Sequence, residues 1–136
     1  MKEHTLTIGQ PIWFWMEAYV SENLPLEACG LLAGNRGVVE VVLPVKNVAK
    51  SPVRFRMDPV EQLRAFAQIE AASQEIIAIF HSHPLGPSIP SPTDISENSY
   101  EVVNLIWSPN GGKWQARGFW IESGHAAEVP LVVTER

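Results

Sequence analysis

The sequence predicts an α/β fold, a mixed β-sheet of six or more strands flanked by two longer helices and one short one. Three observations carry this prediction. Short β-branched apolar runs, such as IIAIF at 76–80, alternate with stretches whose apolar residues recur every three or four positions; these are the periods of strand and helix. Two glycine-bearing turns, at 34–37 and 109–112, each separate a pair of apolar runs and mark hairpins. A length of 136 residues suits one domain, 1–136, built on one core.

Taken in order, residues 4–8 (HTLTI) alternate as a first strand. Pro11 fits the first turn of a helix, where its missing N–H costs little. Ile12, Met16, Val20 and Leu24 form the apolar stripe of that helix. Trp13, Phe14 and Trp15 span roughly 200° of its circumference, so at least one ring leans away from the core. Either the helix is wedged between sheet and loops, or these rings form an exposed aromatic patch for a homodimer or another partner. Asn23 and Pro25 end the helix. Residues 28–33 form a strand, 34–37 a turn, and 38–43 its hairpin partner. A loop follows, with a short strand at 54–57. Asp58, Pro59 and Glu61 make a helix start, and Val60, Leu63, Phe66, Ala67 and Ile69 supply its buried face.

Residues 74–82 form the central strand. Ser91 to Asp94 opens a short helix reaching about Ser99, and 102–108 is a strand. Asn110 and Gly111 carry the strongest hairpin signal, and 114–121 pairs back across it. The last strand, 126–133, is interrupted by Pro130 and belongs at an edge.

The chemistry lies in HSHPLGPSIPSPTD, residues 81–94. A strand projects His81 and His83 to one side, because strand side chains repeat every second residue. Pro84 ends the strand, and a loop rich in glycine and proline can fold Asp94 back toward the histidines. His, His and Asp are zinc-type ligands, and three protein ligands with one open position is the pattern of a catalytic zinc. Each half of the motif also has a plainer reading. A lone His-x-His is often structural, and Ser91 with Asp94 makes a helix capping box. Ser82, between the histidines, faces away from them and serves packing or support.

The pattern H-x-H-P, six residues, S-x-x-D resembles the signature of the JAMM/MPN metalloprotease family, filled here by His81, His83, Pro84, Ser91 and Asp94. The upstream segment EACGLLAG, residues 27–34, looks like that family's glutamate segment, with Glu27 in the catalytic place. The resemblance runs from about Leu24 to Phe119. It implies an α/β sandwich related to the cytidine deaminases. It also implies one Zn²⁺ per chain on His81, His83 and Asp94, with Glu27 as general base and Ser91 as donor to the oxyanion. The reaction implied is hydrolysis of the amide or isopeptide after the C-terminal Gly-Gly of a ubiquitin-like or sulfur-carrier protein. The short stretch after Asp94 resembles the compact prokaryotic form, and sulfur-transfer processing and removal of a protein modifier both remain open. The glycines of such a tail let its backbone approach the metal, with Leu85 and Ile89 as apolar contacts for the residues before them. Trp13 to Trp15 is a candidate surface for the folded body of the carrier.

Competing readings are weaker. Cys29 could act as a nucleophile with a histidine base, but it lies in an apolar run, where small cysteines usually pack. Base deamination expects H-x-E and P-C-x-x-C, and neither is present. A non-catalytic, zinc-binding MPN-type scaffold is the main alternative, because a fold alone does not fix function. His4 and His125 read as ordinary surface residues. A net charge of −5 argues against a nucleic-acid partner. No apolar run approaches the roughly 18 residues of a membrane span, and the start lacks the pattern of a secretion signal. A single cysteine favours a reducing compartment, so the expected location is cytoplasmic.

Overall fold

The computed structural model describes residues 4–136. The elements are β1 (Leu6–Gly9), α1 (Gln10–Glu22), β2 (Cys29–Asn35), β3 (Val38–Val45), α2 (Pro59–Ala71), β4 (Glu75–Ser82), α3 (Pro92–Glu97), β5 (Val103–Asn110), β6 (Lys113–Glu122), β7 (His125–Val129) and β8 (Leu131–Thr134). The strands form one mixed sheet in the order β7-β6-β5-β4-β2-β3-β1-β8. Pairs are antiparallel except β4 with β5, β1 with β3 and β1 with β8. Two longer helices and one short one flank this sheet, as the sequence predicts.

The end of the chain differs from the expected single strand. Pro130 alone separates β7 from β8, yet the two occupy opposite edges of the sheet. Proline cannot donate to a ladder, and here it passes the chain from one edge to the other. The sheet therefore curls until its edges approach, and Leu6 N–H donates to Pro130 O at 3.1 Å.

Alternation along β4 divides the interior. Ala78 and Phe80 join the core beneath α1 with Met16, Val20 and Trp107. Ile79 joins the core beneath α2 with Cys29, Leu31, Ala65 and Ile69. His81 and His83 continue the side of Ile79, while Ser82 continues the other. The neighbouring strand keeps close to β4 at Gly30, where a Cβ would sit 2.5 Å from the Phe80 ring.

In α1, Met16 and Val20 are fully buried, but Leu24 lies beyond the helix and is exposed. Trp13 packs on Trp107, with ring centroids 4.6 Å apart. Phe14 and Trp15 lean out, 56% and 41% exposed, so the crowding of three consecutive rings resolves outward. In α2, Asp58 caps the start by accepting Val60 N–H at 3.0 Å. Its buried face is rotated from the expected one. Ala65 and Ile69 are buried and Phe66 packs beside them, whereas Val60, Leu63 and Ala67 are exposed. Both sets recur every three or four residues, and period alone does not choose between adjacent stripes. Residues 54–57 do not form a strand, and only an isolated bridge joins Asn47 to Met57. Side-chain bonds from Asn47 organise this segment instead: its Oδ1 accepts Ala49 N–H (3.0 Å) and Arg56 N–H (2.9 Å). Its Nδ2 donates to Glu27 O (3.0 Å) and Arg54 O (3.2 Å).

Candidate metal centre and active site

The ends of β2, β4 and β5 build the site. Cys29 pairs with His81 in the antiparallel ladder, and continuing that register sets Glu27 across from His83. Ser82 makes the continuation real. Its N–H donates to Ala28 O at 3.0 Å, and its Oγ accepts Ala28 N–H at 2.8 Å. On the other flank His83 N–H donates to Trp107 O at 2.7 Å. The two histidines are thus held by backbone bonds from both neighbouring strands.

The loop after Pro84 turns at Gly86, whose φ of +68° suits glycine. Buried Ser88 bonds Ser108 and anchors the loop to β5. Pro87 O accepts the Nδ1–H of His83 at 2.7 Å, an assignment that leaves His83 Nε2 with its lone pair facing the centre. Ser91 then caps α3. Its Oγ accepts Asp94 N–H at 3.0 Å, and Asp94 Oδ2 accepts Ser91 N–H at 2.9 Å. This capping box aims the carboxylate: the same Oδ2 lies 3.2 Å from His81 Nε2 and 3.0 Å from His83 Nε2. The two Nε2 atoms are 3.0 Å apart. The capping and ligand readings of Ser91 and Asp94 are therefore compatible, because one bond network serves both.

Glu27 joins the histidines from just before β2, with ligand atoms of Glu27, His81 and His83 within 4.8 Å of one another. All three are buried, at 2%, 0% and 7% exposure. Glu27 Oε1 and His81 Nδ1 have no hydrogen-bond partner. The Phe55 ring stacks on His81 at 4.5 Å.

Burial sets the proton affinities first. It pushes the Glu27 carboxyl up to about 7, with the Asp94 charge adding to the rise and His83 opposing it. Burial acts the same way on Asp94, but the two imidazoles against its Oδ2 and the Ser91 N–H overcome it and hold the carboxyl well below the usual range. Burial pushes His81 below its ordinary value. In His83 it is outweighed by the bonds to Asp94 and Pro87, which raise it.

Two imidazole nitrogens and a carboxylate oxygen thus converge, with the plain acceptor set of a borderline metal. At metal–ligand distances of about 2.0–2.1 Å, the edge of a tetrahedron is roughly 3.3 Å, near the observed 3.0–3.2 Å. A divalent cation fits this set, and the Glu27 carboxylate comes close to it from the segment just before β2.

Cys29 does not fit a nucleophile. It is fully buried, its thiol donates to Val45 O at 3.3 Å, and burial pushes it up to about 12, with the Glu27 charge adding. His4 stacks on Trp120 at 3.7 Å rather than standing free, and His125 begins β7, so neither joins the cluster. Sequence reasoning missed the Asn47 tie and the Phe55 cover. The only available signal was an asparagine and a phenylalanine in an otherwise unpatterned loop.

Cavities open on the cluster from several sides; one touches it at Glu27 alone, beside Leu26 and Asn47, and two others share no lining residue. The first, of about 340 Å³, is walled by Val53, Leu85 and Ile89 and opens on Glu27, His83 and Ser91. The second, of about 460 Å³, opens on Asp94 and Phe55 and is lined by Arg54, Arg56 and Asn104 among others.

In sequence and in fold the chain is similar to known proteins. A family described as prokaryotic homologs of the JAB domain matches residues 16–122. The chain is 39% identical over 117 residues to a probable TtuB-protein conjugate cleaving protease of Thermus thermophilus, covering 85% of this chain and 74% of that one. It is 32% identical over 126 residues to the CysO-cysteine peptidase of Mycobacterium tuberculosis, covering 89% and 86%. A solution structure of a protein from Desulfitobacterium hafniense superposes with a TM-score of 0.87 at 33% identity, covering 96% of this chain and 94% of that one.

Proposed function

The chain belongs to the family of prokaryotic homologs of the JAB domain, and on that premise we propose what its centre does. The protein is a JAMM-type metallopeptidase of 1–136, acting as one domain. It hydrolyses the amide after the C-terminal glycine of a ubiquitin-like or sulfur-carrier protein. The observation that carries this reading is the convergence of His81, His83 and Asp94 beside a buried, unpaired Glu27 in an open groove.

His81, His83 and Asp94 would hold one zinc ion. Zinc held there acidifies a water and polarises a carbonyl oxygen. Glu27, with its carboxyl near 7, takes a proton from the attacking water at neutral pH. The water oxygen bonds to the carbonyl carbon, the carbon–nitrogen bond breaks, and its electron pair stays on nitrogen. Glu27 returns the proton to that nitrogen, giving a carboxylic acid and an amine, and the acid's own proton then passes to the amine, so the products leave as a carboxylate and an ammonium. Ser91 Oγ already accepts Asp94 N–H, which leaves its O–H to donate to the tetrahedral oxyanion.

The groove beside Glu27 suits an extended tail. Val53, Leu85 and Ile89 are 65%, 77% and 43% exposed there and offer apolar contact to residues before the terminal glycines. Glycine at the end lets the backbone reach the centre, where a side chain would meet buried His83 and Glu27. Among the described residues no helix is long and apolar enough to cross a membrane, and Cys29 is a free buried thiol. A cytoplasmic site of action is consistent with both.

The test compares a folded carrier joined through its last glycine to an amine, the same tail as a free peptide, and the carrier with that glycine changed to alanine. The zinc-loaded protein is expected to cleave the first with the highest kcat/KM. Equal values for all three remove the carrier and glycine requirements and leave a general zinc peptidase. Binding of the adduct without cleavage returns the scaffold alternative.

A further inference from the structure

The two histidines of the centre are held in different ways. His81 belongs to β4, is fully buried and has the Phe55 ring stacked on it at 4.5 Å. His83 lies just past the end of β4. Two carbonyls fix it: Trp107 O accepts its N–H and Pro87 O accepts its Nδ1–H, both at 2.7 Å. Trp107 is part of β5, but Pro87 lies in the loop from Pro84 to Pro90. The direction of the His83 ring is therefore only as fixed as that loop.

Little holds the loop in place. Three of its seven residues, Pro84, Pro87 and Pro90, have no N–H to donate. Leu85 and Ile89 are exposed, so burial adds little. Among the described residues the loop makes three hydrogen bonds. Two return to His83: the bond at Pro87 O, and one from Gly86 N–H to His83 O at 2.8 Å. Only the third, between the hydroxyls of Ser88 and Ser108, ties the loop to another element. Ser88 is the one buried residue of the loop. Ser108 is buried too, and it stands in β5 where that strand pairs with Gln115 of β6. Ser88 follows Pro87 and Ser108 follows Trp107 in the chain. The hydroxyl bond thus joins the residues next to the two carbonyls that grip His83.

We infer that Ser88 and Ser108 are positioning residues for His83: their bond holds Pro87 O against Nδ1 and so aims Nε2 at the ion. The inference rests on the reading of His83 as a zinc ligand and adds the pair that sets its direction. A ligand imidazole is oriented by the partner of its second nitrogen, and losing that support commonly weakens metal binding 10- to 100-fold. Neither serine lines any of the three cavities that open on the centre, so their effect on the metal has to pass through the loop. The plainer role is that of an anchor which affects stability alone.

Stability and zinc affinity separate the two roles. The experiment compares wild-type protein with Ser88→Ala, Ser108→Ala and the Ser88→Ala/Ser108→Ala double variant. Each single change leaves one buried hydroxyl without its partner and should lower the urea midpoint. The double variant removes both hydroxyls and should return close to the wild-type midpoint. Zinc Kd, measured without urea by competition with a chromogenic chelator, should not follow that pattern. It is expected to rise about tenfold or more in all three variants, because the same bond is lost in each. Cobalt(II) in place of zinc gives a second readout, and the visible spectrum of the double variant should depart from the wild-type one as the imidazole turns. A double variant with the wild-type Kd and spectrum overturns the inference and leaves the serines as an anchor, with the hydrolase reading untouched. If the wild-type protein itself binds no zinc, that reading falls and this inference falls with it.

Discussion

Glu27 stands just before β2 with Oε1 buried and unpartnered, whereas Asp94 stands in the first turn of α3 with Oδ2 accepting Ser91 N–H and facing two imidazoles. Both are carboxylates, both are withdrawn from water, and burial pushes both upward in proton affinity. They end on opposite sides because only Asp94 has the Ser91 N–H and two imidazoles set against its carboxylate. Its carboxyl stays ionised well below the usual range, while that of Glu27 rises to about 7. A permanent anion is what a metal ligand has to be, and a carboxylate poised near neutrality is what a proton carrier has to be. The two roles in the proposed mechanism therefore come from what surrounds each group, not from the residue type.

Variants that remove one side of this contrast should separate the roles. The largest effect is expected from Asp94→Asn, which deletes the anion between the imidazoles. Metal content and turnover should fall together to background, as measured by mass spectrometry and adduct hydrolysis. Glu27→Gln keeps size and one hydrogen bond but cannot take the proton. It should retain metal and fold while losing about 100-fold or more in kcat. Wild-type turnover in that variant would show that Glu27 is not the base.

Ser91→Ala should come next, with kcat lower by roughly 10- to 100-fold if its O–H meets the oxyanion. Loss of the cap should also remove about 1 kcal/mol of stability, visible in urea unfolding. A loss of stability with unchanged kcat would leave Ser91 as a cap alone. The smallest kinetic effect is expected from Ser82→Ala. It leaves Ala28 N–H buried and unpaired, at a stability cost of about 1–3 kcal/mol. Because the clamp positions the segment bearing Glu27, kcat should drop severalfold with KM and zinc content unchanged. A drop in zinc content would instead mean that Ser82 supports the histidines.

The two carboxylates also differ in how far they could be read from the residues. Asp94 was legible locally: a strand ending in His-x-His, a proline, a short loop and a Ser-x-x-Asp cap are contiguous, and strand and helix periods alone bring them together. Glu27 lies 54 positions before His81 in the chain, and only the resemblance singled it out. The hairpin turns, the outward rings of α1 and the even-sided Ser82 followed from period and sterics. The Asn47 tie did not, because its four bonds reach residues that no local pattern links. The buried stripe of α2 and the division of the last strand at Pro130 were hidden for a related reason. Each is decided by which surface lies opposite, and that is known only once the sheet has curled.

The central claim is that His81, His83 and Asp94 form one metal site, and the most direct test is metal content. After exhaustive dialysis the wild-type protein should hold close to one zinc per chain, and Glu27→Gln should match it while Asp94→Asn does not. Wild-type protein with well under ~0.3 zinc per chain, and no gain on adding zinc, would contradict a site built from these three ligands.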